Sequence, residues 1–201
     1  MTTWIEHPEG GRERGPRGVA RAWFEVLTRP QRFFRNGVSP GDQAPGLVFA
    51  VVVAVAYTTV LFAFVPARIP ALAGGQALSA FVGLAAVALL LAPAVLHITA
   101  ALQTVFLIAT VWENRGGISE TVQVIAYASA PCAVAGIPSP ELRLVCAGYG
   151  AVLMFIGLSE VHDVSIAHAA VAGAVPATFL FGYVFGGATA FITIVRTLGV
   201  I

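Results

Sequence analysis

Glu160, His162, Asp163 and His168 fall within one short stretch, GLSEVHDVSIAHA (157–169), between two long apolar runs. Carboxylate and imidazole side chains this close together could ligate zinc or another divalent ion, or relay a proton. The spacing argues for something plainer. No HExxH or comparable signature is present, and His162 and His168 are six residues apart across a predicted helix start. A polar turn between two membrane helices accounts for the same residues. Asp163 or Ser165 would cap the following helix, and an acid there suits its N-terminal dipole. The expectation is a turn first and a protein-partner surface second, with no metal and no cofactor.

A second polar group lies inside an apolar run: His97, with Thr99, Gln103 and Thr104 beyond it. Ionisable residues within membrane segments often mark function. His97 stands four residues past Pro93 and could bond a carbonyl left open by the proline. It could also begin a polar path continued by Gln103 and Gln123. Both readings stay open from sequence. The third group, Glu113, Arg115, Gly116, Gly117 and Glu120, surrounds a Gly-Gly break. If the two loops share one side of the membrane, these residues join Glu160, His162 and Asp163 in a cytoplasmic partner surface. Tyr127, Ser129 and Pro131 read as local helix geometry. Cys132 and Cys146 sit in apolar runs, where they act as small hydrophobes. No nucleophile–base pair, phosphate loop or paired-carboxylate site is visible, so a non-enzymatic protein is expected.

The elements that carry these groups are membrane helices. Of 201 residues, 58% are hydrophobic and only 10% charged, with mean hydropathy +0.86. A soluble domain has about 25% charged residues, so lipid must cover part of this surface. All basic residues are arginine, and the net charge of +1 carries no partner information. No basic patch with interleaved aromatics points to nucleic acid.

Residues 1–17 read as a disordered cytoplasmic tail, charged and rich in Gly and Pro, with no signal-peptide h-region. Residues 18–36 read as an amphipathic interfacial helix. Trp23, Phe33 and Phe34 would face the membrane, and Arg21 and Arg32 the lipid phosphates. The rival is a helix packed on the protein's own cytoplasmic face. The multi-span domain then occupies 46–201. Its first span is predicted at about 47–65, closed by Pro66. Seven arginines precede it (Arg12, Arg14, Arg17, Arg21, Arg29, Arg32, Arg35), and the positive-inside rule puts the N-terminus in the cytoplasm.

The run 77–111 carries no Asp, Glu or Arg and is too long for one upright span. One long helix kinked at Pro93 is preferred to two short spans, because a turn there would strand backbone groups in lipid. Ser119 is expected to cap a third span near 121–137, shaped by Pro131, and a fourth span lies near 142–158. The last run, about 166–195, has Pro176 and Gly186-Gly187 as bend points. Gly182 and Gly186 form a GxxxG pair, a weak sign of close helix packing in so Gly-rich a chain. The count is five spans, with six as the alternative.

Three segments together resemble a known family. RGGISETVQVIAYASAPCAVAGIP (115–138), IGLSEVHDVSIAHA (156–169) and LTRPQRFFRNG (27–37) are similar, in order and spacing, to the signature segments of the Yip family. These are multi-span membrane proteins that interact with Ypt/Rab GTPases and have prokaryotic and archaeal relatives, whose type this chain resembles. Asp163 and His168 stand where small and basic residues are expected. The resemblance implies an all-α integral membrane bundle of five spans, with a cytosolic N-terminus and a role in membrane trafficking. The functional expectation is a membrane adaptor or organiser in the cell membrane. Its expected partners are the bilayer and a cytoplasmic or membrane protein, of GTPase type by the resemblance alone, with self-association left open. A permeation protein using His97 and the broken helices is the alternative, and a curvature-shaping protein a further one.

Overall fold

The computed structural model describes residues 15–72, 74–110 and 116–200. Most of the predicted tail, and Glu113 and Arg115 of the Gly-Gly loop, lie outside the described residues.

Eight helices carry the described chain. The arm is a pair, α1 (Pro16–Thr28) and α2 (Pro30–Gly37). One helix over 18–36 was expected. Pro30 divides it, because the residue before a proline is pushed out of the helical region, and Arg29 has φ −142° and ψ 57°.

α3 (Ala44–Phe64) follows, starting with a proline in its first turn and stopping one residue before Pro66. Its 21 residues reach about 31 Å, enough to cross a bilayer core. α4 (Gln76–Thr110) has 35 residues, about 52 Å of helix. It runs through Pro93 without a turn, so the single-helix alternative is the observed one. The backbone accommodates the missing proline N–H just upstream. Val87–Leu91 is a π segment, in which the Ala92 N–H reaches back five residues to the Val87 carbonyl.

α5 (Ile118–Ala128) is short, and all eight residues from Thr121 to Ala128 are buried. It passes into a 3-10 turn, Ala130–Val134, at Pro131. α6 (Pro140–His162) is longer than the predicted fourth span, and the Ser139 side chain accepts from the Leu142 N–H at its start. α7 (Ile166–Val184) contains Pro176 and closes in a second π segment, Thr178–Val184. Gly186, in the left-handed region at φ 77°, breaks the chain before α8 (Gly187–Thr197).

The chain is a helical bundle, and among the described residues α3, α4, α6 and α7 are long and apolar enough to cross a membrane. α5 stands at the centre, packed on α3, α4 and α6. Small residues let these helices approach closely. A Cβ on Gly46 would come 2.9 Å from the Gln123 backbone, and one on Gly157 would come 2.7 Å from Val124 and 3.0 Å from the Phe34 ring. The Gly182/Gly186 pair does not play this part. Gly182 has only Thr178 and Ala188, its own neighbours along the chain, within 4 Å of a Cβ. Close packing falls instead to Gly46 of α3 and to Gly150 and Gly157 of α6.

Candidate functional site

The arm packs onto the protein rather than laying its aromatic side on lipid. Phe33 and Phe34 are 2% and 1% exposed. The Phe33 ring meets Tyr127 of α5 edge-on at 4.8 Å and Phe34 at 5.7 Å. Trp23 reaches Phe49 of α3 at 5.6 Å, and Phe49 in turn lies 5.0 Å from Tyr127. Burying each phenyl ring contributes about 1.5–3 kcal/mol, and each aromatic pair about 0.5–1.5 kcal/mol more. The expected membrane-interface role of Phe33 and Phe34 is therefore corrected to core packing, while Trp23 is half-buried against Phe49. Phe24, 68% exposed, is the aromatic side chain the arm turns outward. Arg21 and Arg32 are exposed, as the amphipathic pattern implied.

Polar contacts fix the arm in place. The Gln123 side chain copies a backbone partner for Ser39: the Ser39 N–H donates to Oε1 at 3.1 Å, and Nε2 donates to the Ser39 carbonyl at 2.7 Å. The Tyr149 hydroxyl of α6 donates to the Leu27 carbonyl at the end of α1, 2.5 Å away. Arg35 of α2 pairs with Glu160 of α6 at 2.9 Å, its own side chain 69% exposed and the glutamate 16%. Ser119 does not cap α5, whose N-cap is Gly117. Its hydroxyl accepts from the Gly41 N–H at 3.0 Å and donates to Glu120 at 2.6 Å, tying the linker after the arm to the start of α5.

The two predicted loops meet at the same end. His162 is buried, and its Nε2 lies 3.3 Å from the Thr121 hydroxyl. A Cβ on Gly116 would stand 3.1 Å from the Val161 carbonyl and 3.4 Å from His162 Nδ1, so the Gly-Gly segment lies directly against the end of α6. Asp163 adopts φ 50° and ψ 46° and ends α6. The N-cap of α7 is Ser165, whose hydroxyl accepts from the His168 N–H at 3.2 Å. The arm, Gly116, Gly117 and Glu120, and Glu160 and Asp163 thus lie together at one end of the bundle. Of the predicted surface residues, His162 faces inward and serves packing.

The intramembrane polar residues have local partners. His97 is exposed on the side of α4, and its Nδ1 lies 2.7 Å from the Pro93 carbonyl, one turn back. Gln103 is fully buried and donates to the Ala172 carbonyl at 3.2 Å. Ala172 lies four residues before Pro176, so its carbonyl is the one left without a helical N–H by the proline. Gln103 supplies that donor from α4. The Ser129 hydroxyl donates to the Ala126 carbonyl at 2.6 Å, at the point where α5 gives way to the 3-10 turn containing Pro131. Cys132 and Cys146 are buried free thiols, with Cys132 Sγ 3.8 Å from the Cys146 carbonyl.

Sequence reasoning missed Ser39 and Tyr149 as anchors of the arm. It read Gln123 as a step in a polar path. The available signal was an uncharged amide in the first turns of a helix otherwise made of core residues, where only a backbone partner could satisfy it.

A family model, the Yip1 domain, matches residues 24–189, from inside α1 to the first turn of α8. No curated protein and no solved structure matches the chain. The matched region takes in the arm from Phe24 onward, both loops and, among the described residues, all four helices long and apolar enough to cross a membrane, and the chain therefore belongs to the Yip family of multi-span membrane proteins.

Proposed function

We propose that this protein is a non-enzymatic membrane adaptor, whose arm and two loops form a docking face on the cytoplasmic side. The observation that carries the reading is the joining of three distant segments into one polar surface. Arg35 meets Glu160, Gly41 meets Ser119, and Gly116 lies on Val161. The arm holds this surface on a buried aromatic cluster, so its exposed arginines are displayed at fixed positions. A cytosolic or membrane protein with an acidic patch is the expected partner, and the family relationship makes a GTPase the first candidate.

The reading carries a topology of five crossings in the cell membrane with the N-terminus inside. α5 and its 3-10 turn make the third crossing. Their start lies beside Gly46, through Gln123, and their end beside Leu61, through Gly136. Those points are about 22 Å apart along α3. The arginines preceding α3 orient it. α4 bends at its π segment and protrudes beyond the hydrocarbon, since it is far longer than the bilayer is thick.

A permeation role has less support. Gln103 is engaged by the Ala172 carbonyl, and His97 points away from the bundle interior. Curvature generation would draw on an interfacial arm, and two of the arm's aromatics, Phe33 and Phe34, are buried in the bundle, which leaves Phe24 as its outward-facing one.

The test is affinity capture from native membranes with the intact chain and with Arg29→Glu/Arg32→Glu. Both side chains are exposed, so the fold should survive. A partner captured by the intact chain and lost with the charge reversal supports the adaptor reading. Equal capture by both, or capture lost on His97→Ala instead, refutes it.

A further inference from the structure

A cavity of about 270 Å³ lies between α3, α4, α5 and the end of α7. Its walls are apolar. Ala50 and Ala54 come from α3, Leu96 from α4, Ala126 from α5 and Phe185 from beyond α7. Three hydroxyl-bearing residues border it: Thr58 donates to the Ala54 carbonyl at 2.8 Å, Ser129 donates to the Ala126 carbonyl at 2.6 Å, and Tyr57 sets its ring edge-on to Phe185 at 5.5 Å. A water would need two or more polar partners, so this space stays dry. The cavity lies at mid-length of α3 and α4, at the depth of lipid tails. Leu91 and Val184 border its mouth, and they are 56% and 38% exposed.

Both π segments among the described residues converge here. Val87 and Leu91 come from the first, and Leu180 and Val184 from the second. π geometry occupies well under 1% of residues in globular proteins and concentrates at functional sites. Each π turn widens its helix and turns side chains out of the regular register. Two of them on facing walls leave space that regular helices would close.

We propose that this cavity binds one acyl chain of a bilayer phospholipid, entering laterally between Leu91 and Val184. An apolar cavity of about 150 Å³ takes up benzene, so in proportion this one holds about ten chain carbons. An empty cavity would deprive its lining of dispersion contacts that a chain restores. Lipid tails are the hydrocarbon present at that depth.

The test uses the full chain in phosphatidylcholine nanodiscs doped with a phosphatidylcholine bearing a mid-chain diazirine. α5 is the diagnostic element. Ile125, Ala126 and Ser129 line the cavity yet are otherwise buried, so lipid surrounding the bundle does not reach them. After irradiation, adducts are expected on residues 125–129, as well as on lipid-facing Leu89 and Leu90. Ala54→Phe and Ala92→Phe fill the cavity from opposite walls. Each should abolish the 125–129 adducts and keep those at Leu89 and Leu90. Absence of 125–129 adducts in the unaltered chain overturns the proposal. So does their persistence in either filled variant that elutes and melts as the unaltered chain does.

Discussion

Replacing Gln123 by leucine should release the arm while leaving the bundle intact. The substitution roughly preserves side-chain volume and removes the amide that holds Ser39. Two bonds to Ser39 are lost, at 3.1 and 2.7 Å, together with a longer one to the Ser119 carbonyl at 3.3 Å. Each bond contributes about 1 kcal/mol net. The Ser119 carbonyl lies within the same helix and counts for little. Ser39 is half-buried, so water recovers part of its backbone, and the loss stands near 2 kcal/mol. That falls on local opening of the arm rather than on global unfolding, and it corresponds to a rise of about 30-fold in the open population. Trypsin reads this directly. It cuts after Arg32 and Arg35, whose side chains are exposed, but the neighbouring Phe33 and Phe34 are locked in the core. Cleavage tracks the open fraction when reclosing is fast. Nicking at Arg32 and Arg35 should accelerate about 30-fold in nanodiscs, with the melting of the bundle little changed. Unchanged cleavage would refute the amide's role as the anchor. Parallel loss of arm and bundle stability would refute local opening.

Gln103→Leu should cost about 0.6–1.7 kcal/mol in thermal unfolding, the range for hydrogen bonds between membrane helices. In a Pro176→Ala background the helix supplies its own N–H to Ala172, so the same change should cost measurably less; additive costs would sink the assignment. Gly157→Leu should destabilise by at least about 1–3 kcal/mol, because Val124 and Phe34 occupy the space a side chain needs. Gly148→Ala, where nothing lies within 4 Å, should be neutral or stabilise by up to about 1 kcal/mol through helix propensity, and calorimetry of the pair checks the contrast. Arg35→Gln should cost under about 1 kcal/mol, since that side chain is largely exposed, and the loss should shrink as salt is raised through the Debye-screened range.

The sequence by itself determined the class of protein and the positions of its backbone breaks. Too few charges for a water-facing surface meant membrane helices. Pro66 stops α3 and Gly186 separates α7 from α8 through backbone limits that act within a residue or two, whereas the division of the arm at Pro30 was not read from the sequence. The continuity of the long run through Pro93 was legible too, because lipid offers no partner for a stranded backbone. Tertiary structure decided what each polar or aromatic residue does. Gln123 fitted a polar path as well as an anchor, until Ser39, 84 residues away, became its partner. Glu160 was one acid in a turn until Arg35, 125 residues distant, met it. Phe33 and Phe34 could face lipid or protein, since both environments reward the same apolar surface. Only the hollow beside Tyr127 and Gly157 settled that choice in favour of the bundle. Partner identity among residues far apart in the chain is a property of packed surfaces, and no local rule carries it.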